Sequence, residues 1–158
     1  MSIEIRKLVE SDLPAVFELM AEFAEYEKLH EYLSVDHAAY VKAMFGPEAF
    51  VEGLIAVEGE TALGYALFYP CFATFRSMPG MFLEDLFLSE RARGKGLGDK
   101  LIRAVARRAK ERGYMRMDFH VLDWNAPAID FYKKRGADVD STDLHFRFVG
   151  EAFEKLAE

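Results

Sequence analysis

Apolar residues along the first third of the chain recur at helical spacing. Leu13, Val16, Phe17, Met20, Phe23 and Ala24 fall on one face of a helix, with Ser11 or Asp12 as its cap and Pro14 in its first turn. Ile3, Ile5 and Leu8 predict a short strand before it. Ser34 offers a cap for a second helix carrying Val35, Ala38, Ala39 and Val41, which Gly46-Pro47 ends. The period then shortens to two. Phe50 to Val57 and Ala62 to Phe72 read as strands joined by Glu58-Gly59-Glu60, a hairpin signal. Pro79-Gly80 predicts another turn, followed by a strand from Met81 to Leu88. Leu97, Leu101, Ala104, Val105 and Ala109 line one face of a helix that stops at Gly113. Met115 to Leu122 reads as a strand, Ala126 to Lys134 as a short helix closed by Gly136, Leu144 to Val149 as a late strand, and Glu151 to Ala157 as a final helix. Tight turns between three strands imply antiparallel pairing. The strand–helix–strand step from Met81 to Leu122 implies one parallel pairing. The expected fold is therefore α/β, a central mixed, mostly antiparallel sheet with helices on both faces. No repeat or linker divides it, so one domain over residues 1–158 is expected.

Length and composition agree with a packed domain: of 158 residues, 51% are apolar, enough for a sizeable core. Charge is unevenly spread. Arg91 to Arg112 holds nine Lys or Arg against two acids, a local +7, so the net −7 leaves −14 on the remainder. An acidic body argues against nucleic acid as a partner. Tyr65 to Phe75 is the most apolar stretch, but it contains Pro70 and is too short to span a bilayer. The start, Met1 to Lys7, lacks the apolar core of a secretory leader. Cys71 is the single cysteine and reads as a small core residue. A cytoplasmic protein without a membrane partner is expected.

The basic segment opens on a glycine loop, Arg93-Gly94-Lys95-Gly96-Leu97-Gly98-Asp99, between a strand and a helix. Glycines let successive N–H groups point one way, and the positive end of a helix lies at the same place. Arg93 and Lys95 add full charges, so the loop has the makings of a pyrophosphate cradle. It does not fit the Walker A pattern, and Asp99 occupies the third glycine position of a dinucleotide fingerprint. A glycine-rich helix entry without a ligand is the alternative. Lys100, Arg103, Arg107, Arg108, Lys110 and Arg112 lie largely opposite the apolar stripe of the helix, where most read as solvated surface.

Arg93-x-x-Gly96-x-Gly98 at a strand-to-helix turn resembles the acetyl-coenzyme A signature of the GNAT N-acetyltransferase superfamily. The strand Phe82-Leu83-Glu84-Asp85-Leu86-Phe87-Leu88 before it, Trp124-Asn125-Ala126-Pro127-Ala128 after it, Phe131-Tyr132 beyond, and Ala24-Glu25-Tyr26-Glu27-Lys28 upstream resemble the diamine (spermidine/spermine, thialysine) acetyltransferase branch. The resemblance covers nearly the whole chain. It implies that Leu86, Phe87 and Leu88 bond the pantetheine arm through their backbone, and that Arg93 with the amides of Gly94, Lys95, Gly96, Leu97, Gly98 and Asp99 holds the pyrophosphate. Asn125, Ala126, Pro127 and Ala128 match a second coenzyme contact. It further implies a homodimer.

Acetyl transfer from a thioester to an amine must strip a proton from the ammonium and return one to the departing thiolate. The resemblance makes Tyr132 the acid; by spacing alone Tyr132 would be a packing aromatic beside Phe131. Glu84 is the candidate base, because it interrupts an apolar strand where desolvation would raise its pKa; the alternative is an edge carboxylate facing water. Strand alternation puts Asp85 on the opposite face from Glu84. Tyr26 and Glu27 match the branch's amine-binding position, against a plain solvated helix end. Asp118 and His120 could line the acceptor pocket. The four histidines show no ligand spacing, so no metal is expected. Where polyamine acetylases of the branch carry Asp and Trp, this chain has Thr74 and Arg76. A cation there would repel a polycation and favour a shorter amine bearing a carboxylate, such as thialysine or lysine. The expected activity is acetyl-CoA-dependent N-acetylation of a small primary amine. A protein or peptide amine acetyltransferase and a non-catalytic acyl-CoA-binding domain are the alternatives.

Overall fold

The computed structural model describes residues 1–158. It contains two compact units, Met1–His120 and Val121–Glu158.

The first unit is built on five strands in sequence order: β1 (Ile3–Lys7), β2 (Glu52–Glu58), β3 (Thr61–Ala73), β4 (Met78–Leu88) and β5 (Met117–Asp118). The first four pair antiparallel, and β4 pairs β5 in parallel. The mixed, mostly antiparallel sheet expected from the sequence is thus present. Helices α1 (Leu13–Tyr26) and α2 (His37–Phe45) cover one face, and α3 (Leu97–Glu111) covers the other. On the first face Leu13, Val16, Leu19 and Met20 of α1 pack on Ile55, Tyr65, Leu67 and Phe87. On the second, Leu101, Val105 and Ala109 of α3 pack on Ala66, Phe68, Met81 and Leu83. Both sets follow from the apolar stripes read in the sequence, except that Leu19 joins the buried face of α1.

Several local expectations shift. The α2 cap is Asp36, whose carboxylate accepts from the amides of Ala38 (3.0 Å) and Ala39 (3.3 Å), rather than Ser34. Asp12 does not cap α1 with its side chain. It accepts two hydrogen bonds from the Arg6 guanidinium, at 2.7 and 2.9 Å, and one from the Val9 amide at 2.8 Å. Pro79-Gly80 is not a turn. It lies inside β4, opposite Phe72 and Cys71, and the chain reverses at Thr74–Ser77, where Ser77 takes a left-handed φ of 49°. Basic residues at the end of α3 are partly structural: Arg108 and Arg112 both pair with Glu52 of β2.

The second unit holds α4 (Ala126–Lys133) and α5 (Gly150–Leu156). Residues 144–149 do not form the predicted strand. Their alternating pattern has no strand beside it, and a lone extended segment gains nothing from its unpaired backbone.

Candidate active site

The register between β3 and β4 slips at one point. Leu67 pairs with Asp85, but Phe68 pairs with Leu83, so Glu84 is the extra residue of a β-bulge. An inserted residue breaks the two-residue alternation. Leu83 packs towards α3, whereas Glu84 and Asp85 both open towards the α2 side. This corrects the expectation that the two acids point to opposite faces. Glu84 is exposed and accepts a 2.8 Å hydrogen bond from the Tyr69 hydroxyl. Asp85 is half-buried, with the Tyr65 hydroxyl 3.4 Å away. Burial, reinforced by the negative charge of Glu84, pushes the Asp85 carboxyl up to about 6. Burial and the hydrogen bond to Glu84 push the Tyr69 hydroxyl up to about 12. Tyr65 is fully buried, and that burial, with Asp85 close by, also raises its pKa.

The two acids lie in a cavity of about 320 Å³ whose other walls are Ala39, Tyr40, Ala43 and Met44 of α2, then Val51, Leu67 and Tyr69. Glu27, at the end of α1, is half-buried, and its pKa is raised by burial. It does not line the cavity, although its charge adds to the rise at Asp85. Tyr26, grouped with Glu27 by the sequence, instead lies under the Arg93 guanidinium, 4.6 Å from ring centroid to Cζ. Asp118 accepts two 2.7 Å hydrogen bonds from Arg116 and does not line the cavity. His120 meets the edge of Phe82 at 5.3 Å, and Phe82 stacks on Tyr69 at the same separation. Thr74 and Arg76 sit on the exposed turn between β3 and β4, roughly 20 Å along the strand from Glu84. The Arg76 charge is not part of this cavity.

The other half of the unit suits an acyl-coenzyme. β5 accompanies β4 only at Met81 and Phe82, so the edge of β4 at Leu86, Phe87 and Leu88 has no strand beside it. An extended arm could pair there as an added strand would. Gly94 and Gly96 take left-handed φ of 75° and 72°, and a Cβ at either would meet nothing within 4 Å. The backbone of the loop is therefore open to an approaching group. Gly96 caps α3 with no side-chain hydrogen bond, leaving the first-turn amides of Leu97, Gly98 and Asp99 facing the loop end. Arg93 donates from Nε to the Leu88 carbonyl at 3.2 Å. Glu22 of α1 ties down the segment before the loop, accepting from the Ser89 hydroxyl (3.1 Å) and the Glu90 amide (2.9 Å). These residues fit a pyrophosphate on a thioester-bearing arm.

In the second unit Asn125 is buried and caps α4, its Oδ1 accepting from the Ala128 amide at 3.3 Å. Pro127 stands in the first turn. Tyr132 lies on α4, its ring edge-on to Phe131 at 5.2 Å.

A family model described as the acetyltransferase (GNAT) family matches residues 13–137. The chain belongs to the GNAT acetyltransferase family. It is an enzyme of that family by its curated relatives as well. Thialysine N-epsilon-acetyltransferase of Bos taurus is 35% identical over 98% of this chain and 97% of its own length. L-ornithine N5-acetyltransferase of Arabidopsis thaliana is 38% identical over 59% of this chain and 41% of its own length. Among solved structures, an integron cassette protein from Vibrio cholerae superposes with a TM-score of 0.82 at 29% identity, covering 100% of this chain and 99% of that one.

The sequence missed Tyr40, Tyr65, Tyr69, Ala39, Ala43 and Met44. Alternation along β3 does place Tyr65, Leu67 and Tyr69 on one face, and two hydroxyls on a buried strand face were the available signal. Nothing in the sequence revealed that this face meets α2.

Proposed function

We propose that this GNAT acetyltransferase transfers the acetyl group of acetyl-CoA to a primary amine of a small molecule, with thialysine, lysine and ornithine as the first acceptors to try. The observation that carries this reading is the β-bulge that brings Glu84 and Asp85 together in a mainly apolar cavity. Two carboxyls there attract an ammonium and can take its proton. Glu84 is the base, and Asp85, with its pKa near 6, shares the proton and holds the cationic amine. The freed amine nitrogen attacks the thioester carbonyl carbon, the C–S bond breaks, the Tyr132 hydroxyl gives its proton to the departing thiolate, and the second proton shed by the nitrogen as the amide forms restores Tyr132. The pantetheine arm runs along Leu86 to Leu88. The pyrophosphate rests on the amides of Gly94 to Asp99, with Arg93, and Asn125 to Ala128 make the second contact.

We also propose one catalytic domain over residues 1–158, acting as a cytoplasmic homodimer. Support for the dimer comes from the exposed apolar residues Leu144, Phe146, Phe148 and Val149, a row that a second copy could cover. The decisive experiment follows free-thiol release from acetyl-CoA with thialysine, ornithine, lysine and spermidine, for the wild type and Tyr132→Phe. The expected result is amine-dependent release that falls about 100-fold or more in Y132F, with coenzyme binding retained. Wild-type turnover in Y132F would remove Tyr132 as the acid.

A further inference from the structure

The cavity wall opposite the two acids is one face of α2. Ala39 and Ala43 are one helical turn apart and so share that face. Burial deepens along it, from exposed Ala39 through half-buried Ala43 to buried Met44. The two smallest side chains of the lining thus mark the route from mouth to floor. No Lys, Arg or His lines the cavity. It offers negative partners for an ammonium and no positive partner for a carboxylate. An ionised group buried without a partner is costly, so a negatively charged head finds no place inside.

We propose that Ala39 and Ala43 are specificity-determining residues: they admit a primary ammonium on an uncharged aliphatic arm, and any carboxylate or second charge of the acceptor stays outside the mouth. This inference rests on the proposed acceptor site at Glu84 and Asp85. It makes arm length, rather than the charge of the head, the property that ranks acceptors. An apolar cavity of about 150 Å³ takes a benzene molecule, so the 320 Å³ present admits arms of up to roughly ten heavy atoms. Leucine in place of alanine adds three carbons. At about 30 Å³ each, the share of a water molecule, they remove over a quarter of the room. Leucine is also a good helix former, so α2 should tolerate the change.

The test uses the full chain, Ala43→Leu and Ala39→Leu, with circular dichroism melts to establish that each variant is folded. The acceptors are n-butylamine, n-pentylamine, n-hexylamine and lysine. For the wild type, kcat/KM for lysine and n-pentylamine should agree within tenfold; a wider gap in favour of lysine overturns the proposal. Ala43→Leu should lower kcat/KM for n-hexylamine at least tenfold more than for n-butylamine, and Ala39→Leu should act in the same direction. Equal losses for both amines, or none, overturn it. If no amine is acetylated, the acetyltransferase reading itself fails. Calorimetric Kd values for the same amines and variants then decide the arm-length ranking by the same ratios.

Discussion

Replacing Asp85 with asparagine should stabilise the protein and disable it at once. The folded chain holds the Asp85 carboxyl at about 6, some two units above the unfolded value of about 3.9. Because the folded pKa is the higher one, ionising Asp85 costs stability. The cost is absent below the unfolded pKa, grows as pH rises through the window from about 4 to 6, and is complete above it. Two units at about 1.4 kcal/mol each give about 3 kcal/mol at pH 7. Asp85→Asn removes the charge, keeps the shape and leaves a group that the Tyr65 hydroxyl can still reach. Its melting temperature should therefore exceed that of the wild type by roughly 6–12 °C at pH 7 to 8, and match it at pH 4. The assay is a pair of thermal melts by circular dichroism at half-unit pH steps, with thiol release measured in parallel. Turnover should fall by about 10²- to 10⁴-fold. Equal melting temperatures at pH 8 would refute the buried-charge argument, and wild-type turnover would refute the role of Asp85 at the amine.

Three other outcomes follow from the same geometry. Gly96→Val forces a β-branched residue into a left-handed conformation, at a cost of about 1–2 kcal/mol; the KM for acetyl-CoA should rise about tenfold or more with a smaller change in kcat, and an unchanged KM would detach the loop from coenzyme binding. The Arg6 guanidinium holds the Asp12 carboxyl below its usual range, so its contribution is present at neutral pH and lost as pH falls through that lowered pKa. Asp12→Asn should cost about 1 kcal/mol at pH 7 and converge with the wild type in acid, read by urea denaturation. Phe146→Asp with Phe148→Asp should convert a dimer to monomers in size-exclusion chromatography with light scattering; a monomeric wild type would end the dimer proposal.

The antiparallel run from β2 to β4, the parallel step to β5, the helix faces and the glycine loop were legible because each is written locally: apolar stripes for α1 and α3, short connections between strands, glycines at a helix entry. The place of β1 beside β2 was not, because two helices separate them in the chain. What escaped depended on partners. Strict alternation cannot show a bulge, so it puts Asp85 on the wrong face. Pro79-Gly80 looked like a turn because those residues make turns, yet β3 is long enough to pair through them. Residues 144–149 alternate as a strand should, but a strand exists only beside another strand. Arg76 looked near the acceptor by spacing within a branch motif, whereas the length of the β3–β4 hairpin carries it away.

The bulge has a further consequence for how substitutions in β4 should read. Before it, the odd-numbered Met81 and Leu83 face α3; after it, the even-numbered Leu86 and Leu88 do, and odd-numbered Phe87 joins the α1 side. In a saturation scan of this strand, intolerance to polar replacement towards α3 would change parity at Glu84. Deleting Glu84 would rejoin the two halves in a single phase, leaving a well-paired strand that presents Asp85 alone on the α2 side.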